Sequence, residues 1–134
     1  VLMYLPNPAT TLFRLAPCLR PGGVMAFQEH DGLMVPASSV RLPLHEQVTR
    51  WVWETVEREG ANRRMGFELP SVFARAGLTL EGLRAEAITS TKTSPHPIAA
   101  IVQAMLPRIV KQGVASARQI DIDSLYERLQ TERE

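Results

Sequence analysis

Three consecutive polar residues, Glu29, His30 and Asp31, follow closely on the apolar run Val24-Met25-Ala26-Phe27. A carboxylate and an imidazole at the end of a buried strand can remove a proton from a hydroxyl or an amine, which makes Glu29 and His30 the candidate catalytic residues. A strand end is equally polar for no reason beyond its solvation. Trp51 and Trp53 lie in a helical stretch, about 200° apart around its axis, so they cannot share one face. One is expected to pack inward, leaving the other to line a substrate pocket or a subunit interface. His30, His45 and His96 are too dispersed for a zinc pattern and Cys18 is the only cysteine, so no metal site is expected. No Gly-x-Ser-x-Gly is present to suggest a nucleophilic serine. Arg58, Arg63 and Arg64 cluster without interleaved aromatics, which fits a solvated loop better than a nucleic-acid site.

The elements that position these residues must come from a chain of 134 residues, 45% apolar and 22% charged, with 15 Lys+Arg against 14 Asp+Glu. That length suits one domain or part of a larger one. The balanced charge argues against an electrostatic binder of nucleic acid or membrane, and the short apolar runs argue against a spanning helix or signal peptide. A lone cysteine points to a reducing compartment, and the cytoplasm is the expected location.

Asn7 is a good N-cap and Pro8 suits the first helical position, so a helix is predicted over 8–19, carrying Leu12, Leu15 and Leu19. Arg20-Pro21-Gly22-Gly23 stops it and introduces a short strand, 24–27, apolar on both faces. Residues 33–42, with Pro36, read as loop, and 43–59 as a helix with Leu44, Val48, Val52 and Val56 on one face. Residues 60–66 read as a flexible basic connection. A short helix follows at 69–76, closed by Gly77-Leu78 in the manner of a Schellman cap. Alternation of Leu83, Ala85 and Ala87 with Arg84 and Glu86 predicts a half-exposed strand near 79–90. Pro95 and Pro97 then reset the chain, and a helix is expected over 97–112, kinked at Pro107 and ended by Gly113. Ser116 and Gln119 have capping-box spacing and open a last helix through Leu125 and Leu129.

Taken together, the apolar opening, Leu5-Pro6-Asn7-Pro8, an amphipathic helix, Leu19-Arg20-Pro21-Gly22-Gly23, the apolar run and its acidic end resemble the second half of a class I S-adenosylmethionine-dependent methyltransferase. Leu69-Pro70-Ser71-Val72-Phe73-Ala74-Arg75-Ala76-Gly77-Leu78 is similar to that family's helix before its sixth strand. The resemblance implies an α/β, Rossmann-like fold, of which this chain would hold the C-terminal part, helix-rich with two or three remaining strands. It makes 33–66 and 92–134 helical insertions covering a small-molecule substrate within a single unit, with Trp51 and Trp53 as substrate-side residues. Met3 and Tyr4 match positions bordering the cofactor's methionine end, though ordinary packing also accounts for them. Glu29 or His30 would then deprotonate the substrate before methyl transfer.

That family holds its cofactor with a glycine-rich turn and an acidic residue on the ribose. None of the eight glycines here forms Gly-x-Gly. S-adenosylmethionine is therefore expected in the parent protein and not on this chain alone, which should be inactive by itself. The apolar start at Val1 and the helical composition of residues 130–134 likewise suggest a portion of a longer domain. Unpaired strands and apolar stripes predict a homodimer, with Val1–Leu5, 24–27 and one tryptophan near its interface. The alternative reading is a non-catalytic helical association or regulatory module.

Overall fold

The computed structural model describes residues 1–34, 37–91, 93–94 and 97–134. Six α-helices are formed among these: α1 (Pro8–Leu15), α2 (Pro43–Arg58), α3 (Met65–Arg75), α4 (Ile98–Lys111), α5 (Ala117–Ile120) and α6 (Ile122–Arg133). Single 3-10 turns occupy Leu2–Tyr4 and Ala16–Cys18. The chain divides into two compact units, one of residues 1–34 and 60–86, the other of 35–59 and 87–134.

Local signals set most helix ends. The Asn7 side chain accepts the Thr10 N–H at 3.1 Å, and Pro8 takes the first helical position of α1. The regular helix stops at Leu15, short of the predicted Leu19, because Pro17 has no N–H and tightens the last turn to 3-10 form. Pro21 and Gly22 make a tight turn, closed by the Gly23 N–H on the Arg20 carbonyl at 2.8 Å, with Gly22 at φ +76°. Gly77 ends α3 and Gly113 ends α4 in left-handed geometry. In both, the following residue bonds back to the third-last helical carbonyl, Leu78 to Phe73 and Val114 to Ile109, which is the Schellman arrangement. Ser116 and Gln119 cap each other reciprocally at the start of α5. Asp121, at φ +48°, separates α5 from α6 where the sequence suggests one helix.

In the first unit α1 packs on α3. Their buried residues are Ala9 and Leu12 on one side and Met65, Leu69 and Val72 on the other, joined by Leu2 and Met3 from the first turn. In the second unit α2 packs on α4 and α6, and α4 on α6. Its core takes Val48, Trp51 and Thr55 from α2, Val102, Met105 and Ile109 from α4, and Leu125 and Leu129 from α6, all at three- or four-residue spacing. The buried Thr55 hydroxyl is satisfied by the Trp51 carbonyl at 2.7 Å. This unit holds most of the residues of 33–66 and 92–134, the two stretches that the resemblance would make helical insertions. Pro36 and Pro95, placed in connections by the sequence, lie outside the described residues.

The α/β expectation is overturned. Among the described residues there is no strand and no sheet. Residues 24–27 are irregular, with Val24 67% exposed where burial on both faces was expected. Residues 79–90 are irregular and exposed. A strand exists only through its neighbour's N–H and C=O groups. No backbone–backbone bond among the described residues joins 24–30 or 79–90 to a partner segment. Residues 24–27 are held instead through a side chain, the Phe27 ring lying 5.7 Å from that of Phe73. The connection 60–66 is also corrected. Ala61 is buried, the Asn62 N–H bonds the Met3 carbonyl at 2.8 Å, and α3 already begins at Met65.

Candidate functional site

An open cavity of about 320 Å³ lies in the first unit, between the Leu5–Pro8 segment, Gly60–Asn62 and one face of α3. The turn Leu2–Tyr4 buries Leu2 and Met3 and leaves Leu5 extended, so that the Leu5-Pro6-Asn7-Pro8 sequence forms one wall. Two prolines make that wall stiff, and Asn7, which caps α1, fixes where the helix starts. Asn7→Ala is expected to lower stability by about 1 kcal/mol and to fray the first turn of α1, measured by urea denaturation.

Asn62 ties the two walls together. Its N–H meets the Met3 carbonyl, its side-chain oxygen accepts the Arg64 N–H at 2.9 Å, and its amide donates to Glu68 at 2.8 Å. The buried thioether of Met65 supplies an apolar lining. Glu68 and Arg75, two helical turns apart on α3, place a carboxylate and a guanidinium on one face roughly 10 Å apart along the axis. An apolar wall with charges of both signs suits a small molecule with an apolar body and polar ends.

The sequence-derived candidates distribute unevenly about this cavity. Met3 is buried beside it, through its carbonyl on Asn62, while Tyr4, next in the chain, is 58% exposed. The Glu29 side chain is 2% exposed, and one oxygen accepts both the Leu2 N–H at 2.6 Å and the Val1 amine at 2.7 Å. Glu29 thus acts first as an anchor for the turn that carries Met3. Asp31 accepts the Leu33 N–H at 3.0 Å and the Phe67 N–H, in the first turn of α3, at 3.2 Å. The next residue, Gly32, exchanges two bonds with Arg63 at 2.7 and 2.8 Å. His30, between these two anchored carboxylates, is exposed.

Trp51 and Trp53 belong to the other unit. Trp51 is a core residue of α2 and Trp53 is half-buried. Among the described residues no group of three His, Cys, Asp or Glu side chains is placed to hold a metal ion, and His96 lies outside them. No described helix is long and apolar enough to cross a membrane. Asn62, Glu68 and Arg75 escaped the sequence reading. Asn62 alone left a signal, as an Asx-turn former two residues ahead of a helix start.

Compared with protein-family models, with curated proteins and with solved structures, the chain finds no match.

The residues present do not make a complete S-adenosylmethionine site. No Gly-x-Gly occurs in the chain, and the Glu29 carboxylate is taken up by the Leu2 N–H and the Val1 amine.

Proposed function

We propose that this chain supplies the substrate-side, C-terminal portion of an S-adenosylmethionine-dependent methyltransferase acting on a small molecule. The order of Leu5-Pro6-Asn7-Pro8, Leu19-Arg20-Pro21-Gly22-Gly23 and Ala76-Gly77-Leu78 along the sequence carries the reading. The cavity supports it, because Asn62 in its wall bonds the carbonyl of Met3, one of the two residues that the resemblance sets against the cofactor's methionine end. In this reading the cavity takes the small molecule and His30 is the exposed base on the same unit. The cofactor's polar groups are held by segments outside these 134 residues, and no chemical step is assigned to this chain alone.

Two measurements test it. The chain alone is expected to show no saturable binding of S-adenosylmethionine tighter than about 10 μM by calorimetric titration. A reading frame extended upstream of Val1 is expected to encode a strand followed by a Gly-x-Gly turn, and the longer protein to transfer a labelled methyl group to a small-molecule acceptor. An extended frame without that turn, or a longer protein that binds no cofactor, would discard the proposal. The wholly helical character of the described elements favours one second reading, a non-catalytic helical association or regulatory module. Methyl transfer by the longer protein separates the two.

A further inference from the structure

We propose that the cavity on α3 takes a small monocarboxylic acid, with its carboxylate on Arg75, its apolar body against Pro6, Pro8 and Met65, and a hydroxyl or amine at its far end facing Glu68. The assignment rests on the proposal that this cavity holds the small-molecule substrate. All the residues that line it belong to the first unit.

The charges decide which end of the ligand goes where. Glu68 is already engaged, one oxygen accepting from the Asn62 amide at 2.8 Å and the other lying 3.8 Å from Arg64 Nε. Arg75 is different. It lines the cavity, is exposed, and among the described residues makes no hydrogen bond or ion pair. Its place in the last turn of α3 suits the helix dipole, but that leaves its guanidinium donors unused. With Glu68 offset by Arg64, the unbalanced charge at the cavity is a single cation, which matches a single anion on the ligand. The parallel N–H pair of a guanidinium fits the two oxygens of a carboxylate.

The far end and the body follow. Glu68 keeps lone pairs that Asn62 does not take, and an ionised carboxylate only accepts, so the group facing it must carry a proton. That group sits on the Met3 side, because Asn62 joins Glu68 to the Met3 carbonyl. It is therefore the end on which the proposed methyl transfer would act, and the carboxylate on Arg75 is the remote handle that orients it. Between the two ends, two proline rings and the Met65 thioether offer apolar faces on which a flat ring can rest. A volume of about 320 Å³ is at the small end for ligand pockets, which suits one ring rather than a fused system.

Para-hydroxybenzoate and para-hydroxyphenylacetate are the probes, titrated into the full chain by calorimetry with no cofactor present. At least one is expected to bind saturably, and para-hydroxybenzamide, the neutral counterpart of the first, to bind at least about tenfold more weakly. Arg75→Gln is expected to weaken the acid by about tenfold or more and to leave the amide unchanged, with Arg75→Lys between. Arg75 is exposed, so far-ultraviolet circular dichroism should stay constant across the set. Phenyl phosphate tests the class of anion and is expected to bind more weakly than the acids. The proposal is overturned if neither acid binds, if acid and amide bind alike, if Arg75→Gln changes nothing, or if the phosphate binds more tightly. The functional reading fails separately. Acid binding through Arg75 without methyl transfer by the longer protein discards that reading and keeps the acid site, whereas methyl transfer indifferent to Arg75→Gln does the reverse.

Discussion

Replacing Glu132 by alanine is expected to destabilise the second unit by about 2–3 kcal/mol. The reason lies at the start of α2. Its N-cap residue is Leu42, which has no side chain to accept a hydrogen bond, and Pro43 at the first position removes one donor. The next two donors are met from α6. Glu132 accepts the Leu44 N–H at 2.6 Å with one oxygen and the His45 N–H at 2.9 Å with the other. The second oxygen also lies 2.8 Å from His45 Nδ1. A carboxylate at a helix N-terminus is favoured by the helix dipole as well as by these bonds. Its side chain is only 14% exposed, so removing it leaves two backbone donors and a ring nitrogen facing a space that water enters poorly.

The same contacts fix a pH dependence. Burial pushes the Glu132 carboxyl up, but the His45 ring bond, the two backbone N–H groups and the His45 charge outweigh it and hold the pKa below the ordinary value. A depressed carboxyl stabilises the fold above its unfolded pKa, about 4.3, and loses that contribution as pH falls through the lower folded value. Stability of the native chain should therefore drop from about pH 5 downward, and Glu132→Ala should flatten that part of the profile. Glu132→Gln, which keeps one acceptor and adds a donor, should fall between the two. Equilibrium urea denaturation at several pH values reads all three. A native-like midpoint for Glu132→Ala would refute the capping role.

What the sequence disclosed and what it hid divide by distance along the chain. Asn7 with Pro8, Gly77 with Leu78, and Ser116 with Gln119 act on neighbours within a few residues, so their residue types sufficed to place three helix ends. The stripe Val102-Met105-Ile109 is local too, because helical periodicity alone defines a face. On α2 the same rule found Val48 and Val56, but Leu44 and Val52 are only half-buried, and His45 and Thr55 are buried with them. The strands failed for the converse reason. The alternation at 83–87 and the apolar run at 24–27 report only that a segment would suit a sheet, and the partner that makes a sheet is a non-local fact. The long-range anchors are equally non-local, with Glu29, beside the candidate site, reaching back 27 residues to Leu2 and Glu132, in the other unit, reaching 88 to Leu44. One of them had left a trace. A helix opening on Leu42-Pro43, with no capping side chain, needs an acceptor from elsewhere in the chain.

Gly66→Ala is expected to cost about 2 kcal/mol and to loosen the segment that carries Glu29 and His30, although alanine is the better helix former. The gain in helix propensity is about 1 kcal/mol. Against it stands a steric conflict. A Cβ on Gly66 would lie 2.9 Å from Asp31 Cβ, 3.2 Å from its N and 3.3 Å from its Cα. None of these atoms is the free end of a flexible side chain, so the Asp31 backbone itself must retreat. It is poorly able to do so. Asp31 is held by the Phe67 and Leu33 N–H groups, and Gly32 by its paired bonds with Arg63. Overpacking against a fixed backbone costs about 1–3 kcal/mol, and here it brings the loss of the Asp31 cap on α3, so the conflict outweighs the propensity gain. Combining Gly66→Ala with Asp31→Gly removes the closest contact, and the two changes should destabilise by less than their sum. Denaturation midpoints give the energies, and the amide shifts of Leu33 and Phe67 report whether Asp31 has moved. An alanine variant as stable as the native chain, with those amides unshifted, would mean that the contact yields without consequence. If they do shift while the helices persist, Asp31 and Gly66 act as the clasp that sets where His30 stands relative to the cavity wall on α3.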